Sequence, residues 1–485
     1  MINVLIWLPF AVALIAAAMP RRAVGPLNAA GALATLALAA ALAIGFETGG
    51  GLQHAVDLEW IGELGIHYRL GVDGISLFLI VLTALLWAAA TVWSAFEGVE
   101  RPRLYFAMLG LAESATLGAF CAQDLLLFVL FFDLMLVPFY FLIGAWGGPG
   151  RVAATTKMII YTLVGSLLML VGAIATGVLA APEIGGISFS LAELEGAILP
   201  ESTQRWIFWA FAAAFLVKMP AFPIHGWMPD AYRAAPLPVL LVLSGVLSKV
   251  GAYGFLRIVL PLFPDASIDY QETLLVIACA SILYGSAMAF TQTSARLIAG
   301  YSSVAQLGFV TLGIFALHAD GAGGAVLHMV NHGLVVAPVF VVIGVLVARA
   351  GSDDIRRLGG IATRAPVLAA LFLVVTLATL AMPGSANFIG ELYILIGAFG
   401  VHPAWAIVAS LGVALAAFYA LRLYQRTMHG RAPEGLVPRE LSLREGAVLA
   451  PLVAAIVALA LYPGLVLSRA DAPVAAKVAA VEGRR

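Results

Sequence analysis

Charge is what this 485-residue chain most lacks: Asp, Glu, Lys and Arg make up 11% of it, against about 25% in an ordinary soluble domain. Apolar residues make up 62%, and the mean hydropathy is +1.02. A water-soluble globule of this mass needs more polar cover than that, so the solvent that fits is a lipid bilayer. A net charge of −1 leaves no basic footprint for nucleic acid. Cysteine is nearly absent. Cys121 and Cys279 both lie in apolar runs, form no CxxC and keep no metal-ligand spacing, which leaves them as small core residues and excludes an iron–sulfur set. No GxGxxG follows a strand and no haem pair occurs, so nothing in the chain is built to hold NADH or carry electrons.

Apolar length is what the chain has in excess. A membrane-spanning helix needs about 20 mostly apolar residues. That rule predicts an all-α polytopic membrane protein of about fourteen spans, starting near residues 2, 26, 75, 104, 123, 154, 204, 237, 273, 295, 323, 364, 403 and 445. The first run, MINVLIWLPFAVALIAAAMPRR, has its arginines after the apolar stretch, not before it. It therefore reads as a retained span and not as a signal peptide. The longest polar connections are about 47–73 and 181–204, and no soluble domain of useful size remains.

Basic residues gather in alternate connections. Those after odd-numbered spans hold Arg21, Arg22, Arg101, Arg103, Arg151, Arg233, Arg296, Arg349 and others; the opposite side holds Arg69, Arg205 and Arg257 among many acids. The positive-inside rule then places both termini outside the cytoplasm, in a cell or inner membrane crossed many times. Two spans carry breaks, the seventh at Met219-Pro220 and the twelfth at Met382-Pro383-Gly384. Broken helices at matching positions in two halves mark a transport pathway between internal repeats. The divisions this suggests are residues 1–100 with the first three spans, 101–262 and 263–430 as two five-helix repeats, and 431–485 as a last helix and tail.

Ionisable groups at bilayer depth cost about 2.5–3.5 kcal/mol each on insertion scales, and they are commonly functional. Asp133 lies in the fifth span, Lys218 late in the seventh and Lys249 midway along the eighth. His328 and His332 share one face of the eleventh at i, i+4 spacing. Glu391 follows the break in the twelfth, and Glu113 lies midway along the fourth. His225, Asp230 and Arg233 are expected as a polar cluster at the end of the seventh. Lysine and carboxylate in an apolar interior both lose preference for their charged forms, while a neighbouring opposite charge restores it. A Lys–Asp pair that opens and closes is therefore a proton switch. Freed carbonyls at helix breaks recruit water, and histidine relays near neutral pH. The competing use of the same groups is a static lock between helices.

Several stretches resemble the antiporter-like membrane subunits of respiratory complex I, the proton-pumping NADH:quinone oxidoreductase. They are LGVDGISLFLIVLT, FFDLMLVPFYFLIGAWGG, KMPAFPIHGWMPDAYRAAP, LSGVLSKVGAYGFLR, HMVNHGLVVAPVF and MPGSANFIGE. The resemblance runs from about residue 70 to 465. The KMP form and PFYFLIGAWGG are most similar to the subunit M, or chain 4, branch. It implies a fourteen-helix fold with two inverted five-helix repeats and a midplane proton path. It implies that Asp133 stands at the family's fifth-span glutamate, Lys218 is its partner, Lys249 is the central lysine, His332 is the eleventh-span histidine and Glu391 is the terminal charge. NADH, FMN, iron–sulfur clusters and quinone would belong to partner subunits, with no cofactor or metal in this chain. Ser294, Arg296 and Gln306 depart from the family's usual aspartate, lysine and histidine. The alternatives are a subunit of a multi-subunit Na+/H+ antiporter, one of a membrane-bound hydrogenase, or a non-pumping scaffold.

Overall fold

The computed structural model describes residues 1–433 and 439–484. The expected last segment, 431–485, therefore includes residues outside the described ones. Among the described residues, eleven helices are long and apolar enough to cross a membrane, and three shorter apolar helices accompany them. In chain order the main helices are α1 Ile2–Ala17, α2 Arg21–Ile44, α3 Leu77–Glu97, α4 Pro102–Cys121, α5 Leu125–Trp146, α6 Arg151–Ile184, α7 Glu201–Lys218 and α8 Leu237–Leu262. There follow α9 Gln271–Thr291, α10 Ala295–Phe315, α11 Ala319–Ala350, α12 Pro366–Thr379, α13 Ala386–Val401, α14 Pro403–Met428, α15 Leu443–Leu461 and α16 Gly464–Glu482. Helix starts lie close to the expected positions. The last helix, α16, was not expected as an element of its own.

The outer surface is what a bilayer asks for. On α6, Ile160, Val164, Leu167, Val171 and Ile174 are exposed along one side. Helices α8, α10 and most of α11 are buried on every face, and they form the axis around which the rest packs.

The chain is not wholly helical. The polar connection expected at 47–73 folds as an antiparallel hairpin of β1, Gln53–Ile61, and β2, Ile66–Val72. Gly65, at φ +63°, closes the turn in a conformation that favours glycine. Asp57 faces Arg69 across the ladder and is bonded to it at 2.7 Å. The hairpin is seated on the helices through the His67 amide, which donates to Asp124 at 3.2 Å. Asp124 also caps the start of α5. The period-2 alternation around Val56, Leu58 and Trp60 was the available signal.

Both breaks form, and they share one cap. At the end of α7 the Ala221 amide donates to the Leu216 carbonyl at 3.0 Å; at the end of α12 the Met382 amide donates to the Leu377 carbonyl at 3.0 Å. This six-to-one bond is the Schellman closure, in which the residue before the donor takes positive φ. Those residues are Pro220 and Ala381. The inner bond of the motif, Ala381 amide to Ala378 carbonyl, closes in α12. Its counterpart cannot form in α7, because Pro220 has no N–H. The caps thus pair Pro220 with Ala381, and not with Pro383 as the shared Met-Pro letters suggest.

Helix α8 is interrupted differently. It widens into π-type turns at Leu243–Leu247 and Phe255–Val259, on either side of Ser248–Gly254. Such turns shift side chains round the helix and concentrate at functional positions. Close packing holds the breaks in place. A Cβ on Gly251 would stand 2.6 Å from the Phe215 carbonyl oxygen of α7, and one on Gly390 would stand 2.9 Å from His328.

A buried row of ionisable side chains

The row begins in α5. Pro138 cannot donate to the Leu134 carbonyl, so the helix is interrupted at Met135. Asp133 lies just before this irregularity. It is half-buried beside Ser166 of α6, and one of its carboxylate oxygens is enclosed without a partner among the described residues. Lys218, in the last turn of α7, is 5% exposed. The two interact electrostatically, but no ion pair closes between them among the described residues. The Lys218 ammonium lies instead 4.4 Å from the centre of the Phe132 ring, on the residue preceding Asp133. A cation–π contact in an apolar setting is worth about 2 kcal/mol. It holds the ammonium over the ring, next to the residue that carries the carboxylate.

Lys218 borders a cavity of about 20 Å³ that also touches Thr162, Pro220, Tyr232 and Ser248. That is room for about one water. Ser248 leads directly to Lys249, whose ammonium donates to the Ser248 hydroxyl at 3.4 Å and to the Ser244 carbonyl at 2.7 Å. The π-type turn containing Ser244 brings that carbonyl within reach of the lysine five residues on. Lys249 is 0% exposed, so its charge depends on these oxygens. The Ser244 hydroxyl meets Ser303 of α10 at 3.1 Å and carries the polar row across to the second half.

There, His328 and His332 face the same way along α11, their rings 6.3 Å apart. His328 bonds through Nε2 to Oε1 of Gln306 at 2.6 Å. Neither ring nitrogen of His332 has a partner among the described residues. His332 borders a second cavity, again about 20 Å³, together with Gln306, Thr376, Thr379, Asn387 and Tyr419. Glu391 is buried close to Gln306 and Tyr419, and both its carboxylate oxygens are enclosed without a direct bond among the described residues. Asn331 donates to the Ala386 carbonyl at 2.6 Å, tying α11 to the first residue of α13.

Two expected participants stand apart. Glu113 borders a small separate space with Asn28 and Thr91, among α1 to α4. His225 lies in the loop after the first break, in a cage of Phe222, Tyr284 and Tyr301. Asp230, expected in a polar cluster with His225 and Arg233, pairs with Lys157 at 2.9 Å, and Lys157 in turn acts electrostatically on His225. Arg257, expected in the connection after the eighth span, lies inside α8 and is buried against Asp73 and Gln123. The π-type turn at Phe255–Val259 carries it inward.

The departures at the start of α10 also find partners. Ser294 caps the helix by accepting from the Leu297 amide and donates to Asp353. Arg296 donates to the Ala235 carbonyl at 2.7 Å. Sequence reasoning missed Ser244, Ser248, Ser303, Asn387 and Tyr419. The serines four apart, immediately before Lys249, were the signal available for two of them.

Comparison with known proteins agrees with this architecture. Residues 122–416 match the family described as NADH:quinone oxidoreductase/Mrp antiporter, TM. The chain is 38% identical to NADH-quinone oxidoreductase subunit M of Rhodobacter capsulatus over 86% of this chain and 82% of that one. It is 37% identical to subunit M of Escherichia coli strain K12, over 86% and 83%. In three dimensions it resembles a chain of respiratory complex I from Thermus thermophilus with a TM-score of 0.91, at 30% identity, covering 99% and 100% of the two chains. It also resembles a chain of the Mrp complex of a Dietzia species with a TM-score of 0.86, at 22% identity, covering 99% of each, a likeness of fold. The chain belongs to the NADH:quinone oxidoreductase/Mrp antiporter family of membrane subunits.

Proposed function

We propose that this chain is the proton-translocating, subunit M-type membrane component of an NADH:quinone oxidoreductase, moving protons while redox chemistry runs on partner subunits. The observation that carries this reading is the continuity from Lys218 through its cavity to Ser248 and Lys249. Asp133 and the Phe132 ring offer the Lys218 ammonium two sites. Beside the carboxylate, both groups are held charged. Over the ring, the lysine more readily loses its proton through the cavity toward Lys249. His332 and Glu391 continue the path through the second cavity, and the carboxylate past the second break releases the proton.

In this reading the residue divisions 101–262 and 263–430 act as two transport repeats, and both termini lie outside the cytoplasm of the cell or inner membrane. Cofactors (NADH, FMN, iron–sulfur clusters, quinone) sit on the partners. Membership of a multi-subunit Na+/H+ antiporter is the second reading, supported by the shared family description and by the likeness of fold to the Mrp complex chain.

The test is Lys218→Ala in the assembled complex in inverted membrane vesicles. The expected result is a loss of proton pumping of roughly 100-fold, the scale on which removal of a proton-transfer group acts, with the complex still assembled. Pumping at the parent rate would leave only a scaffold.

A further inference from the structure

The two histidines of α11 share a face but not an environment. The carbonyl oxygen of Gln306 can only accept, so the 2.6 Å contact requires His328 to carry its proton on Nε2 and donate it there. An amide oxygen does not take up that proton near neutral pH. The other nitrogen of His328, Nδ1, is enclosed without a partner among the described residues, and it packs against Gly390 so closely that a Cβ there would stand 2.9 Å away. Neither nitrogen has an onward acceptor. His332 differs on each point. Both its nitrogens are without protein partners among the described residues, and it borders the cavity shared with Asn387 and Tyr419. A proton can enter on one nitrogen and leave from the other.

We infer that Gln306 is a positioning residue that divides the labour of these histidines: it locks His328 in one tautomer and out of the relay, and leaves His332 as the carrier between Lys249 and Glu391. This deepens the pump reading and rests on it. Lys249 of α8 acts electrostatically on both histidines, and Gln306 of α10, which bonds His328, also interacts with Glu391 of α13 and Tyr419 of α14. Replacing Gln306 by leucine keeps the volume and removes the acceptor. His328 then becomes free to change tautomer and to titrate.

The experiment measures NADH-driven pumping and NADH oxidation by the intact complex in vesicles across about pH 6 to 8, where imidazole titrates. His332→Gln should lower pumping roughly tenfold or more, while His328→Gln should keep it within about twofold of the parent. Gln306→Leu should change the pH profile of pumping, and adding His328→Gln should abolish that change. Equal losses from His328→Gln and His332→Gln would overturn the inference. So would an unaltered profile in Gln306→Leu, or an altered one that survives removal of His328. Failure of the underlying pump reading is distinguishable, because then Lys218→Ala would also pump.

Discussion

The two broken helices are built alike and equipped differently. Each ends in the same six-to-one closure, from Leu216 to Ala221 in α7 and from Leu377 to Met382 in α12. In the position two residues after the leucine, α7 carries Lys218 and α12 carries Thr379. Each borders a cavity of about 20 Å³. The lysine holds its charge before the break, against Phe132 and near Asp133. The threonine turns its hydroxyl back to the Val375 carbonyl at 2.8 Å, and the second half puts its charge, Glu391, after the break. The backbone break is therefore a shared device that opens the helix. The side chain placed on one side of it or the other sets which sign of charge is stored there.

Making the breaks alike is the most direct way to disrupt this contrast. Lys218→Thr gives the first break the residue of the second. Since the threonine can bond back to its own helix, the fold should survive, and pumping in vesicles should fall roughly 100-fold. Pumping near the parent level would mean that the first break needs no charge.

The glycine contacts beside the two breaks sharpen the comparison at a smaller scale. Gly251→Val drives a side chain into the Phe215 carbonyl, backbone that cannot rotate away. Gly390→Val meets mainly the His328 side chain and the α11 backbone beneath it. Overpacking of this kind costs about 1–3 kcal/mol. Both variants should lower the amount of assembled complex, measured by detergent extraction and native electrophoresis. Gly251→Val should lower it more, because its nearest obstacle is backbone. An effect in the opposite order would mean that the α11–α13 contact, and not the α7–α8 contact, is the tighter one.

The smallest effect lies outside the membrane. The hydrogen bond from Arg69, with help from His67, holds the Asp57 carboxyl below the usual range. A carboxylate lowered in the folded state stabilises it fully above its unfolded value of about 3.9, and that stabilisation is lost as the pH falls through the folded value. Asp57 is half exposed, so the pair is worth less than about 1 kcal/mol. Asp57→Asn should slightly lower the thermal midpoint at neutral pH, by an amount that shrinks as the pH is taken down to about 3, below the unfolded value. A loss of the same size at both pH values would assign the effect to packing.

Composition and run length made most of this fold legible, because a bilayer admits few ways to satisfy a backbone and one apolar helix resembles another. The hairpin Gln53–Ile61 and Ile66–Val72 escaped because its alternation is short and lies inside a connection read as polar. Arg257 was misplaced because linear counting cannot see the π-type turn that carries it inward to Asp73. The ionisable side chains were visible as exceptions in apolar runs. What links them was not. Ser248, Ser303, Asn387 and Tyr419 are ordinary residues in sequence, and only the packing of four helices brings Ser248, Asn387 and Tyr419 to the two cavities and Ser303 to the Ser244 hydroxyl. The likeness of the two breaks was legible in the letters, but their register came from hydrogen bonds, since the shared Met-Pro letters point to Pro383 where the cap points to Ala381.

The central claim is that the Lys218 ammonium moves between Asp133 and the Phe132 ring as protons pass. Asp133→Asn keeps the shape and removes the charge that draws the lysine back. The number of protons pumped per NADH oxidised by the assembled complex in inverted vesicles tests it most directly. A ratio well below that of the parent, with the complex intact, is the predicted result; an unchanged ratio would contradict it.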